Sequence, residues 1–200
     1  MKKIIQIGCN DGNDYVFDFL SKEVDFEGVF VDASNKALKL AEKRYSCFSS
    51  PISSINVEFK NLAVIDGHEK TVSFYEPDDD IIHGCNSLSK EFLFAHQNYN
   101  LKEITVKAIN INDLIRQSNF DSLDYLFIDA EGFDCALINA LNLKEFDIKN
   151  IIFEWVHSEG ARTGSGTKLF KKMQQKLFEN NYTINQHYSD DWNLIATKQT

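Results

Sequence analysis

The chain contains no apolar run approaching the roughly 18 residues that a membrane-spanning helix requires. Proline is nearly absent, with two in 200 residues, and no Pro- or Ser-rich tract marks a linker, so a single domain over 1–200 is expected. The four cysteines (Cys9, Cys47, Cys85 and Cys135) lie far apart, without a CxxC pair, which excludes zinc-ribbon and thioredoxin-like chemistry. Such isolated cysteines are expected as small buried residues. The opening "MKKIIQIGCN" has too short an apolar run for an export signal, so a cytoplasmic protein with no membrane span is expected. Positive charge is also short: 21 Lys and Arg against 30 Asp and Glu give a formal charge of −9. That balance repels phosphate backbones, so nucleic acid is not an expected partner.

What is present is an alternation of two periods. Runs with strand character at 3–8, 27–33, 55–64, 70–76, 123–130 and 148–156 are interleaved with segments of helical spacing. In "NKALKLAEKRY", for example, Ala37, Leu38, Ala41 and Tyr45 fall on one face. Strands apolar on both faces, separated by helices, predict a doubly wound α/β domain with a mostly parallel sheet. "YTINQHY" and "WNLIATK" predict a C-terminal antiparallel hairpin. In such sheets ligands bind beyond the carboxyl ends of the strands. The loops starting near Gly8, Asp32, Asn61, Asp129 and Glu154 are therefore expected to face one cleft.

The first of these loops, "GCNDG", is a G-x-N-x-G pattern that lacks the middle glycine of a dinucleotide fingerprint and the GK[ST] of a P-loop. Asp11 and Asp14 at the following helix start would disfavour a pyrophosphate and suit a positively charged ligand. Asp32 stands 20 residues beyond Gly12, at the end of the second strand, where a carboxylate can accept from both ribose hydroxyls. A ribose acceptor beside an acidic loop without phosphate-binding equipment fits S-adenosylmethionine.

The segments "QIGCNDG", "VFVDAS", "NLAV", "LDYLFIDAEGFDCALINAL" and "IIFEWVH" together resemble FkbM-type methyltransferases, a branch of the class I S-adenosylmethionine-dependent enzymes. The resemblance implies a seven-stranded Rossmann-like sheet with helices on both faces. It also implies methyl transfer to a hydroxyl of a sugar, glycan or glycosylated small molecule. It would put Gly8, Asn10 and Gly12, with Asp11, against the methionine part of the cofactor. Asp32, followed by Ala33 and Ser34, would hold the ribose, and Asn61 and Ala63 would lie near the adenine. Asp129 and Glu131 would border the reaction centre. The chain departs from the family in having "DAS" where a Glu-Pro pair is common and Phe127 where many members have lysine.

Methyl transfer to an alcohol calls for in-line alignment and a group to take the hydroxyl proton. Asp129, Glu131, Glu154 and His157 are the candidates. A divalent cation such as magnesium, held by Asp129, Glu131 and Glu154, is the other route. For substrate recognition, "EPDDDIIHGCNSLSKEF" (76–92) offers His83, Asn86 and Ser87. The glycine-rich "HSEGARTGSGTKLF" (157–170) offers Arg162 on a segment expected to be a mobile lid or a plain connection. The rival readings are a metal-dependent catechol-type O-methyltransferase, whose Asp…Asp-Asn ligand set is not found, and a methyltransferase-like binding protein without catalysis. The sequence is silent on oligomeric state.

Overall fold

Period-two alternation divides the central strands between two cores. In β1 (Lys2–Ile7), Ile5 and Ile7 face one side of the sheet and Ile4 the other. In β7 (Ser122–Ile128), Leu126 and Ile128 share the first side and Phe127 the second. A computed structural model describes residues 1–23, 25–48, 55–78, 86–96, 100–159, 162–187 and 191–199, with the side chains of 94–96 outside the description. β2 (Phe26–Asp32), β3 (Ile55–Asn61) and β8 (Asp147–Glu154) run parallel to β1 and β7. The hairpin of β9 (Tyr182–Gln186) and β10 (Asn193–Lys198) joins through β10, antiparallel to β8. The sheet order is β3-β2-β1-β7-β8-β10-β9, with seven strands as expected.

On one face, α1 (Tyr15–Leu20) and α2 (Asn35–Tyr45) pack Val16, Leu20, Leu38, Ala41 and Tyr45 against Ile4, Phe30 and Phe127. Phe127 stacks with Tyr125 and meets Tyr15 and Phe19, so this position belongs to the core. On the other face lie α4 (Ile111–Ser118), α5 (Asp134–Ala140) and α6 (Lys168–Glu179). α6 buries Phe170, Met173 and Leu177 and leaves Lys168, Lys171 and Lys172 exposed, while the half-buried Lys176 donates to the Asn139 carbonyl. Among the described residues no helix is long and apolar enough to cross a membrane. Cys9 and Cys135 are buried, Cys47 is exposed, and Cys85 lies outside the described residues.

Two expectations need correction. The extended run at 55–64 is not one strand. The chain leaves the main sheet at Leu62, where its N–H donates to the Asp32 carbonyl, and β4 (Ala63–Ile65) joins a second sheet. That sheet, in order β4-β6-β5, contains β5 (Thr71–Pro77) and β6 (Leu101–Asn110). The segment 76–92 is also not all connection, because β5 runs to Pro77 and α3 (Lys90–His96) takes its end; residues 79–85 lie outside the description.

Candidate active site

Strand order reverses between β1 and β7, and the cleft opens there, beyond the carboxyl ends of β1, β2 and β7. It has a volume of about 230 Å³. Gly8 is in the left-handed region (φ 79°), and a Cβ there would stand 1.8 Å from the Asp129 carbonyl oxygen. The glycine is thus demanded by the approach of two strand ends rather than by a ligand. Gly12 (φ 72°) does not line the cleft. A Cβ there would meet the Tyr45 ring at 3.0 Å, so this glycine seats the loop on α2.

Asp32 ties the loops after β1 and β2 together. Its Oδ2 accepts from the Asn10 N–H at 2.8 Å and its Oδ1 from the Ser34 N–H at 2.7 Å. Each oxygen retains a lone pair for a hydroxyl. Burial pushes this carboxyl up to about 6 against the pull of both N–H donors. Asn10 lines the cleft with a solvent-sealed Oδ1 that has no hydrogen-bond partner. Asp14 caps α1 through the Phe17 N–H and accepts from the Gln6 amide. Asp11 meets Arg44 at 3.5 Å. Both acids also line the cleft, as does Ala33. Ser34 is buried as the cap of α2, and Asn61 donates to the carbonyls of Asp32 and Ala33 at 3.0 Å each. Neither is a cleft residue, so both support the loop after β2 from behind, while Ala63 lines the cleft.

The opposite wall comes from the small sheet and the segment before α3. Leu62, Val64, Phe74 and Leu88 give it an apolar surface that sequence reasoning missed. The alternation in "KTVSFYE" was the available signal for Phe74. Asn86 lines the cleft with a second sealed and unpartnered Oδ1. Ser87 is buried: it bridges Tyr75 through the backbone, and its hydroxyl donates to the Glu131 carbonyl at 3.0 Å. That hydroxyl is a brace for the Glu131 loop. His83 falls outside the described residues.

At the end of β7, Asp129 is exposed at the cleft margin and Glu131 (φ 48°) follows on the tight turn into α5. Burial and the charges of Asp129, Glu154 and Asp134 push the Glu131 carboxyl up to about 10. Asp134, buried at the start of α5, accepts from the Ala130 and Glu154 N–H groups, both at 3.3 Å. It thereby locks the β7 loop to the end of β8. No role was assigned to it from the sequence, although "IDAEGFD" contains it. Glu154 and His157 sit behind Glu131, with Oε2 and Nδ1 2.9 Å apart, and His157 lies edge-on to Phe92 and Trp192. Asp129, Glu131, Glu154 and His157 therefore do gather at one end, in two layers: Asp129 and Glu131 on the cleft, Glu154 and His157 beneath.

Arg162 (φ 55°) is exposed and does not line the cleft, and no lysine or arginine does so among the described residues. In the segment around it, read from the sequence as a lid or a plain connection, the fully buried Ser158 hydrogen-bonds Gly164 and Thr167.

The family model described as the methyltransferase FkbM domain matches residues 6–184. Among solved structures, the methyltransferase FkbM from Methylobacillus flagellatus aligns with a TM-score of 0.52 at 12% identity, over 98% of this chain and 43% of that one. This chain thus spans less than half the length of that protein. A putative caffeoyl-CoA O-methyltransferase from Staphylococcus aureus aligns at 0.50 and 14% identity, over 99% and 76%. Fibrillarin from Aeropyrum pernix, solved with natively bound S-adenosyl-L-methionine, aligns at 0.50 and 10%, over 98% and 65%. Identities this low establish likeness of fold. No curated protein matches significantly.

Proposed function

The chain belongs to the FkbM methyltransferase domain family, and on that premise we propose that it is an S-adenosylmethionine-dependent O-methyltransferase acting on a hydroxyl of a sugar, glycan or glycosylated small molecule. The observation that carries this reading is the cofactor wall itself. Asp32 presents free lone pairs at the end of β2, and the sealed Asn10 Oδ1 lacks a donor beside it. A ribose supplies two hydroxyl donors and the methionine end an ammonium, so the residues present fit the group. Asp11 and Asp14 add negative charge where the ligand is cationic. Ala63 and Leu62 give the adenine an apolar seat.

The sulfonium is an activated donor when bound. The chain's task is to hold the acceptor oxygen in line and to take its proton. Asp129 and Glu131 face the space where that oxygen must sit, and Glu154 and His157 support Glu131 from beneath. Leu88 and Phe74 offer an apolar platform for the C–H face of a sugar. Arg162 would meet only a substrate that extends beyond the cleft. The cysteines Cys9, Cys47 and Cys135 are free, in keeping with a proposed cytoplasmic location.

The test is transfer of isotope-labelled methyl from S-adenosylmethionine to a panel of glycosides and polyols. Label in an alkali-stable methyl ether is expected. Label on nitrogen or nucleic acid, or none across the panel, would overturn the reading.

A further inference from the structure

We infer that Glu131, Glu154 and His157 form a binding site for a divalent metal ion, Mn²⁺ in preference to Mg²⁺, at the floor of the cleft. One ligand atom from each residue lies within 4.8 Å of the other two. The Glu154 Oε2 and His157 Nδ1 atoms, 2.9 Å apart, already have the spacing of adjacent ligands on one ion, which for bonds of about 2.1 Å at right angles is about 3.0 Å.

Their setting calls for a cation. Glu154 and His157 are only 8% and 3% exposed. Among the described residues no hydrogen-bond donor reaches the Glu131 carboxylate, and the charges acting on it are those of Asp129, Glu154 and Asp134, all acidic. A separate observation points the same way. The Asn86 Oδ1, sealed from solvent and without a partner, lines the same cleft as Glu131, and Ser87 next to it is bonded to the Glu131 carbonyl. A neutral amide oxygen left without a donor is a ready further ligand for a hard cation.

Two carboxylates and an imidazole suit Mn²⁺, which accepts oxygen ligands and tolerates nitrogen, better than an all-oxygen magnesium site. The assignment replaces the Asp129 of the sequence-based set with His157, because Asp129 stands at the cleft margin outside this group. It extends the methyl-transfer reading. A metal at this place would polarise the acceptor hydroxyl and orient it toward the methyl donor.

The experiment needs neither methyl donor nor acceptor. Whole chain stripped with a chelator is titrated with MnCl₂, with free Mn²⁺ followed by electron paramagnetic resonance. One bound ion per chain at micromolar concentrations is expected. Binding should weaken at least about tenfold in Glu154→Gln, His157→Gln and Glu131→Gln, and stay unchanged in Glu42→Gln, an exposed acid elsewhere. Circular dichroism melts establish that each variant folds, and Glu131→Gln, at the half-buried cleft wall, guards against collapse of the two buried variants. Absence of stoichiometric binding by the folded wild type, or binding that survives both Glu131→Gln and Glu154→Gln, would overturn the inference. Titrating the same metal-free sample with S-adenosylmethionine keeps the two claims separate, since either ligand can fail while the other binds.

Discussion

The two acidic walls of the cleft are built on opposite plans. At the end of β2, Asp32 has both oxygens satisfied by backbone N–H groups, and its carboxyl rises only to about 6. At the end of β7, Glu131 has no such donor and three acidic neighbours, and its carboxyl rises to about 10. Burial raises both, so the gap between them reflects hydrogen bonding and neighbouring charge. The β2 wall braces its carboxylate with backbone N–H groups, whereas the β7 wall sets acidic groups side by side without such donors.

The largest effect should come from breaking the junction of the two walls. Gly8→Val puts a side chain into the Asp129 carbonyl at a backbone angle that disfavours it. A loss of about 3 kcal/mol or more is expected in urea denaturation, together with loss of cofactor binding. Next is the repulsion on the reaction wall. The folded carboxyl of Glu131 lies above its unfolded value of 4.5, so the folded state holds more protons between those limits. Stability from this group is full below about pH 4.5 and is lost as pH rises toward 10. With a chelator present, Glu131→Gln should flatten this slope and exceed the wild type by roughly 1–3 kcal/mol at pH 8. A wild type that gains stability from pH 5 to 8 relative to the variant would contradict the comparison.

The cofactor wall should respond over a different range. With its carboxyl near 6, Asp32 loses charge as pH falls from 7 to 5. Affinity for S-adenosylmethionine should drop by about tenfold over that span, read by calorimetry in matched buffers. The smallest effect belongs to Asn61→Ala, which removes two bonds to the backbone behind Asp32. A loss of about 0.5–1.5 kcal/mol in stability is expected, with a minor change in affinity.

The sequence shows most of the fold because its signals are local. Short apolar runs such as "KIIQIG" and "LDYLFI" predicted strands buried on both faces, and the spacing of Ala37, Leu38, Ala41 and Tyr45 predicted a helix face. The second sheet was hidden because β3 and β4 are contiguous in pattern, and only the turn at Leu62 parts them. Of the residues lining the cleft, Gly8, Asp32 and Asp129 were legible from their place at strand ends, and Asn10 and Glu131 through the family resemblance. Gly12, Ser34, Asn61 and Ser87 look alike in sequence but serve the backbone. That division depends on long-range contacts such as Gly12 with Tyr45 and Ser87 with Glu131. Asp134 was missed for the same reason, since one of its two N–H partners is 20 residues away.

The most direct test of the account is calorimetric titration of S-adenosylmethionine into the wild type and Asp32→Ala. One site per chain is predicted, weakened at least about tenfold in a variant that still melts cooperatively. No binding by the folded wild type, or equal binding by the variant, would contradict the assignment of this cleft to a nucleoside methyl donor.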